Sequence, residues 1–413
     1  MNAEIVTIGD ELLIGQVTNT NEAYIGGRLN TIGVFVTHMT TVGDDLQAIV
    51  DALADAWKRS EMVIATGGLG PTHDDITKKA LCRFFQTDLV HNVDALASVQ
   101  RLLKSRGIAV TAAHEGQALV PRRAVVLPNP LGTAPGLRFE QDGKLMFVLP
   151  GVPYEMEEIL QQSILPFLAT RVQDSAIRHL TLRTTGISES LLAQQLGDLD
   201  EILWGAKLAF LPSPTGVRLR ITVHDRDGTL AEERARAVER RIRAKVDKYI
   251  YGTEDEEIEQ VLGRILTERK LTLAVAESCT GGLIAHRITN VSGSSVYFER
   301  GVVAYSNESK VQLLGIPRAL IDTHGAVSRQ VAEAMAQGVR TIAGASIGLS
   351  TTGIAGPTGG SAEKPLGTVW IGYADDQGSI AIRFSFGDQR LRVKERASQA
   401  ALELVRRKAL KIE

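Results

Sequence analysis

The spacing of apolar positions divides the chain into three stretches. Up to about residue 170, short apolar runs alternate with segments of helical period. Glu4–Ile8 predicts a strand ending at Gly9-Asp10-Glu11, followed by a helix over about Glu22 to Leu29 and a strand at Val34–Val42. Asp44 is placed to cap a helix that runs to about Arg59, and Glu61–Thr66 predicts a third strand. This order implies a parallel, doubly wound sheet with helices on both faces. Leu137–Leu149 has the pattern of a hairpin with Asp142-Gly143 at its turn.

Between about 175 and 252 the habit changes to a strand (His179–Thr185), a helix opened by Ser188, two strands (Lys207–Leu211 and Val217–Asp225) and a charged helix (Leu230–Val246). That is a small α+β unit. From 255 to 413 the chain is α/β again. Leu271–Ala276 predicts a strand, and Leu283, Ile284 and Ile288 start a helical pattern just after it. Further strands are expected at Gly301–Tyr305, Ser346–Thr351, Gly367–Tyr373 and Ile380–Phe386, with a closing helix from Asp388. The fold class is α/β in three domains, 1–170, 175–252 and 255–413.

Composition narrows the class without naming a function. A 413-residue chain exceeds the roughly 250–300 residues at which single cores stop growing, in keeping with several domains. A net charge of −2 lacks the footprint of a nucleic-acid binder, and the basic helix residues Arg234, Arg236, Arg240, Arg241 and Arg243 are interleaved with acids. The two cysteines, Cys82 and Cys279, form neither a disulfide framework nor a zinc site and fit a reducing compartment. No apolar run is long enough to span a membrane, and Met1–Ile8 reads as a first strand, so a cytoplasmic location is expected.

Candidate chemistry sits at strand ends. In doubly wound sheets ligands bind outside the carboxyl ends of the strands. There the first strand ends at Asp10 and Glu11, and the third at Thr66-Gly67-Gly68-Leu69-Gly70-Pro71-Thr72-His73-Asp74-Asp75. Closely spaced glycines let backbone approach phosphate, and clustered carboxylates beside phosphate imply Mg²⁺ or a similar hard cation. The competing reading is that the glycines are turns and the acids caps. Neither a Walker A loop nor a dinucleotide GxGxxG fingerprint is present.

In the last domain the strand over 271–276 runs into Glu277-Ser278-Cys279-Thr280-Gly281-Gly282. A hydroxyl-rich, glycine-ended turn at a helix N-terminus suits an anion or an exposed nucleophile; equally, Ser278 or Thr280 could cap the helix. Asn307 suits an N-cap, which puts Lys310 at the third helical position, where the dipole and desolvation would lower its pKa toward that of a base. Thr351-Thr352-Gly353-Ile354-Ala355-Gly356-Pro357 offers N–H donors for an oxyanion or phosphate. Arg390, Arg392 and Lys394 fall in the first two turns of the closing helix, and Cys279 is the rival nucleophile unless it is a buried apolar group.

These residues carry a resemblance. Ala276-Glu-Ser-Cys-Thr-Gly-Gly282, Gly301-Val-Val-Ala-Tyr-Ser-Asn307 with Lys310, Gly325-Ala-Val-Ser328, Thr352-Gly-Ile-Ala-Gly-Pro357 and Lys364-Pro-Leu-Gly-Thr-Val369 resemble the CinA C-terminal family of nicotinamide mononucleotide amidases. Gly9-Asp-Glu-Leu-Leu, Gly15-Gln16, Asn19-Thr-Asn21, Thr66–Thr72, Asp74-Asp75, Asn129-Pro130 and Leu149-Pro-Gly-Val-Pro153 resemble the molybdopterin-binding-like domain of the same family. The middle domain is similar to its KH-type domain, without a clear GxxG loop.

The resemblance implies hydrolysis of nicotinamide mononucleotide to nicotinate mononucleotide and ammonia, with Ser278 as nucleophile, Lys310 as base and Tyr305 as proton partner. No cofactor is implied for this reaction. Glu277, Thr280, Gly281, Ser295, Thr352 and Gly353 would line the substrate, together with an arginine of the closing helix. The family's Gly-Asp-Arg is one residue longer here, Gly387-Asp388-Gln389-Arg390, so Arg390 and Arg392 are both candidates. For the first domain the resemblance implies ADP-ribose pyrophosphatase activity with a divalent metal. Gly9, Thr66, Gly67, Gly68, Gly70, Thr72 and Asn129 would be at the nucleotide, and Asp10, Glu11, Asp74 and Asp75 at the metal. It also implies a homodimer. The alternative is a nucleotide-binding regulatory protein linked to competence, without turnover at one or both sites.

Overall fold

The computed structural model describes residues 1–70, 76–109, 111–172 and 176–412. They divide into two compact units, Met1–Arg178 with His224–Glu232, and His179–Val223 with Glu233–Glu413. Thr72, Asp74 and Asp75 lie outside the described residues.

The first unit follows the expected strand–helix alternation: β1 (Asn2–Ile8), α1 (Asp10–Leu13), α2 (Thr20–Thr31), β2 (Phe35–Val42), α3 (Leu46–Arg59), β3 (Met62–Thr66) and α4 (Thr77–Phe84). A short ribbon of β4 (Leu89–His91) and β5 (Leu119–Pro121) flanks α5 (Val93–Ser105) and α6 (Ala112–Gly116). β6 (Val125–Leu127), β7 (Gly136–Gln141), β8 (Lys144–Leu149), α7 (Pro153–Ile159) and α8 (Leu165–Ala169) complete it. The main sheet has the order β2-β1-β3-β8-β7-β6. β2, β1, β3 and β8 are parallel, whereas β7 and β6 run antiparallel at one edge. The sheet is therefore mixed. Asp142 and Gly143 both have positive φ, as a two-residue hairpin turn requires, and such a turn joins only antiparallel strands.

Alternate residues of the central strands feed two cores. Val6, Val63, Ala65, Met146 and Val148 face one layer of helices, and Ile5, Met62, Ile64, Leu145 and Phe147 the other. Burial on both faces explains why these strands read as continuous apolar runs. The helix predicted to start after Asp44 is capped one residue later: the Asp45 carboxylate accepts the Ala48 N–H. That leaves Asp44 at the carboxyl edge of the sheet.

The middle domain contributes β9 (Ala176–Thr184), α9 (Glu189–Leu196), α10 (Leu199–Leu203), β10 (Lys207–Ser213), β11 (Gly216–Asp225), α11 (Gly228–Val246) and β12 (Ile250–Thr253), with sheet order β10-β11-β9-β12. In β11 Val217, Leu219, Ile221 and Val223 are buried between exposed partners, the pattern of a sheet with one solvated face.

The last domain holds α12 (Ile258–Glu268), β13 (Leu273–Glu277), α13 (Leu283–Thr289), β14 (Phe298–Val303), α14 (Asn307–Leu314), α15 (Arg318–His324), α16 (Arg329–Ala343), β15 (Ile347–Gly353), β16 (Thr368–Asp375), β17 (Gly378–Ser385) and α17 (Arg390–Leu410). The closing helix thus begins at Arg390, with Gln389 at its cap, and not at Asp388. Its sheet has the order β14-β13-β15-β16-β17, in which β13 is parallel to both neighbours and β15-β16-β17 is an antiparallel meander. Leu273, Val275, Ile347 and Leu349 face the α12 and α17 side, while Ala274 and Ala276 meet α14 and α16. Because β13, β14 and β15 are parallel, their carboxyl ends lie side by side. The residues just beyond them are Ser278, Ala304–Tyr305 and Ile354.

Candidate active site

Ser278 and Lys310 meet at that sheet end. β13 delivers Ser278, whose N–H extends the ladder by donating to the Thr351 carbonyl (2.9 Å). Lys310 comes from α14, whose N-cap is Ser306; the Ser306 hydroxyl accepts the Ser309 N–H. Lys310 is therefore the fourth helical residue, not the third as expected with Asn307 at the cap. Its side chain is 1% exposed. The ammonium nitrogen lies 3.0 Å from Ser278 Oγ, 3.0 Å from the Ala304 carbonyl and 3.2 Å from the Tyr305 carbonyl. Among the described residues no carboxylate pairs with it. Burial disfavours the charged form and lowers the Lys310 pKa from its ordinary value.

The three contacts suit a neutral amine. An NH₂ group has two N–H donors and one lone pair. The two carbonyls accept the donors, and the lone pair is left for the Ser278 hydroxyl to donate into. A serine hydroxyl within hydrogen-bond reach of a buried lysine whose pKa is lowered is an arrangement suited to a nucleophile and its base.

The helix N-terminus next to this serine is closed to a ligand. The Glu277 carboxylate, itself buried, accepts the N–H groups of Gly282 (3.0 Å), Ile284 (3.1 Å) and Ala285 (2.8 Å). The expected caps, Ser278 and Thr280, do not serve. Thr280 Oγ1 is buried against Thr351 Oγ1 at 2.7 Å, and Ser278 is left to Lys310. Gly281 and Gly282 both have positive φ, and Gly281 N–H closes a turn onto the Ser278 carbonyl. This conformation, which favours glycine, lets the chain reverse so that Glu277 reaches α13. Cys279 sits in the apolar core, where burial pushes its thiol up to about 12. It is a buried apolar group and not a thiolate at neutral pH.

A second candidate site lies on the first unit. The loops after β1, β3 and β8 gather at one sheet edge, where Gly9, Glu11, Asp44, Gly67, Gly68, Gly70, Gly151 and Glu155 line a crevice of about 410 Å³. Any side chain at Gly67 would drive its Cβ to 2.1 Å from the Ile8 carbonyl, so the close approach of the two loops needs glycine. Asp10 and Asp44 each accept the other's backbone N–H, at 3.1 and 3.0 Å, which sets two carboxylates side by side at the edge. Asp44 and Glu155 went unrecognised in the sequence: the first read as a cap, and the second lies two residues beyond the Leu149–Pro153 motif. Thr66 Oγ1 donates to the Pro150 carbonyl. Asn129 is buried; it donates to Glu155 and Ala134 and accepts from Leu131 and Gly132, so it shapes the loop over residues 129–134. Among the described residues no three acidic, histidine or cysteine side chains form a metal-binding group.

The comparisons with known proteins agree with this layout. Residues 4–170 match the family described as "Probable molybdopterin binding domain", 179–252 the "Damage-inducible protein CinA KH domain", and 255–409 the "CinA C-terminal domain". A CinA-like protein of Salinibacter ruber is 47% identical over 409 residues, covering 98% of this chain and 99% of that protein. The chain belongs to the CinA family. A CinA-like protein of Chloroherpeton thalassium is 44% identical over 98% of this chain and 99% of its own length. Among solved structures, the protein CinA from Thermoplasma acidophilum is 40% identical, covering 39% of this chain and 94% of that one, with a TM-score of 0.36.

Set against the CinA pattern, the remaining candidates separate. Tyr305 is 56% exposed; its hydroxyl accepts from Arg390 (2.8 Å), and only its backbone carbonyl touches Lys310. Arg390 also donates to the Gly356 carbonyl at 2.9 Å, which ties the start of α17 to the Thr352–Pro357 loop. Thr352 is buried and its hydroxyl donates to the Ala326 carbonyl, while Gly353 ends β15 beside Ser278. Arg392 is exposed. Ser295 is not brought to the site: it precedes β14 and so lies at the amino end of that parallel strand, opposite Ser278. No helix among the described residues is long and apolar enough to cross a membrane.

Proposed function

We propose that the last domain hydrolyses the carboxamide of nicotinamide mononucleotide to nicotinate mononucleotide and ammonia. The observation that carries this is the buried Lys310 nitrogen, 3.0 Å from Ser278 Oγ and held by the Ala304 and Tyr305 carbonyls, an arrangement in which a neutral amine could accept the serine proton. The Ser278 hydroxyl gives its proton to Lys310 as Oγ attacks the carboxamide carbon. The resulting lysine ammonium returns that proton to the departing amide nitrogen, which leaves as ammonia. A water molecule, deprotonated by the same lysine, then cleaves the acyl-serine ester and releases the carboxylate. Arg390 holds the Tyr305 hydroxyl at the edge of the site, and Glu277 keeps the serine loop in place through α13.

Ammonia release from nicotinamide mononucleotide is the test. Ser278→Ala is expected to lower it about 10,000-fold or more, whereas Cys279→Ala leaves turnover close to native, because its thiol is protonated. A native protein that releases no ammonia, or a Ser278→Ala variant that matches it, sinks the assignment and leaves a ligand-binding regulatory protein in its place.

For the first domain we infer metal-dependent hydrolysis of ADP-ribose. Support comes from the glycine-lined crevice and its carboxylates Glu11, Asp44 and Glu155. Asp10 and Asp44, each accepting the other's backbone N–H, would supply hard oxygen donors at the crevice, and a divalent cation held there would neutralise the diphosphate. ADP-ribose is expected to yield AMP only with added divalent cation, and Glu11→Gln or Asp75→Asn to suppress it. No AMP under any of several divalent metals would leave this domain a binding module.

A further inference from the structure

A cleft of about 490 Å³ opens within the second unit, a volume that suits a small molecule. One wall is the β9–α9 loop, with Thr185 and Glu189, and the β10–β11 turn, with Thr215; the other is Phe386, just after β17, with Arg396 and Gln399 of α17. Neither Ser278 nor Lys310 borders it, and it shares no residue with the glycine-lined crevice of the first unit. Arg396 and Gln399 are three residues apart on α17 and so share a face. Gln399 is 3% exposed. Its Oε1 accepts from the Arg287 guanidinium at 2.9 Å, which fixes the orientation of the amide, because an arginine can only donate. The two N–H groups of Nε2 are left without a partner among the described residues. Buried donors left unmet are costly, and the cleft that Gln399 lines is open space from which an acceptor can come. Arg396 is half-buried and donates to the Phe386 carbonyl at 3.3 Å. It pairs with no carboxylate among the described residues, so most of its N–H donors are open as well. Glu189, the one acidic side chain in the lining, is exposed, so solvent screens it more than it screens the Arg396 guanidinium. Phe386, its ring stacked on Phe384 with centroids 5.4 Å apart, adds an aromatic surface.

We propose that this cleft is a separate binding site for a mononucleotide-sized anion, whose phosphate oxygens meet Arg396 and Gln399 while an attached ring packs against Phe386. The terminal oxygens of a phosphate match donors on two side chains better than the pair of a carboxylate does. The site requires turnover neither at Ser278 nor in the first domain, so it stands or falls apart from both hydrolytic readings.

Hydrogen–deuterium exchange on the full chain locates such binding without reading activity. AMP is expected to slow exchange of the backbone amides over residues 185–189 and 213–217, which border neither of the other two sites. Inorganic phosphate, lacking the ring, should need about tenfold more for the same protection. Loss of a charge-assisted hydrogen bond predicts that Arg396→Ala raises the half-protecting AMP concentration about 10- to 100-fold. Gln399→Leu removes the amide donors and should raise it about tenfold, whereas Lys408→Ala, at an exposed cation further along α17, leaves it unchanged. Should the leucine variant fail to fold for want of the Arg287 acceptor, Gln399→Glu keeps that acceptor, loses the donors and is expected to weaken AMP at least as much. Protection that is indifferent to both Arg396→Ala and the Gln399 variants overturns the proposal. So does the absence of protection of these segments by AMP, nicotinate mononucleotide and phosphate at millimolar concentration, which would leave a buried water as the partner of Gln399.

Discussion

Lys310→Met is expected to lower ammonia release by about 100- to 10,000-fold, the range that a positioned base contributes. The thermal midpoint should stay within a few degrees of the native value. Methionine fills similar volume and removes the cost of burying an amine. Against that, the Ala304 and Tyr305 carbonyls lose a donor. Activity and stability therefore part company at this position. The native pH profile carries the same signature. Only neutral Lys310 accepts the Ser278 proton, so activity rises with pH through the lowered lysine pKa and falls away on the acid side. Between that lowered pKa and a lysine's ordinary value, the unfolded chain binds a proton at this position and the folded chain does not. Stability thus increases with pH across the window. Lys310→Met should abolish this gradient, and Lys310→Arg, charged at all these pH values, should be inactive. A methionine variant within tenfold of native activity, or one that retains the same acid limb, would remove Lys310 from the chemistry.

Glu277→Ala shows the opposite behaviour. It leaves three backbone N–H groups at the start of α13 without their acceptor, one of them fully buried, and withdraws a negative charge from the positive end of the helix. At about 1–3 kcal/mol for a buried unsatisfied group, the loss should reach about 3 kcal/mol or more. Urea unfolding of the native and variant proteins measures it. Glu277→Gln should fall between the two. Its single oxygen can serve Gly282 and Ile284 in place of Oε2, but its amide nitrogen then faces the Ala285 N–H. Turnover should fall with stability in both variants, because the turn that carries Ser278 depends on the same carboxylate. An alanine variant with the native urea midpoint would mean that α13 caps itself in another way.

Most of the strands were legible from the pattern of apolar positions. The central parallel strands of the two larger sheets are buried on both faces, so Met62–Thr66 and Leu273–Glu277 stand out as largely apolar runs. The Asp142-Gly143 turn was legible because two successive positive φ angles suit few residue pairs. Boundaries were less so. Asp44 and Asp45 are chemically equivalent as caps, and only the chain's entry angle selects the second. Ser306 and Asn307 differ in the same way.

The sequence by itself determined which side chains had the chemistry. A serine in a glycine-ended turn after a strand, a lysine at a helix start and two glycine- and acid-rich loops at strand ends could all be named in advance. Tertiary structure decided what each of them does. Parallel pairing of β13 with β14 sets Ser278 beside Ala304 and Tyr305, whose carbonyls hold the Lys310 nitrogen against it, and carries Ser295 to the far end of the sheet. Burial lowers the Lys310 pKa and makes Cys279 an apolar group. Glu277, adjacent to Ser278 in sequence, becomes the cap of α13 because two glycines reverse the chain above it. Residue type sets which bonds and protons a group can offer. Whether they are offered to solvent, to backbone or to a substrate depends on neighbours that only the folded sheet supplies.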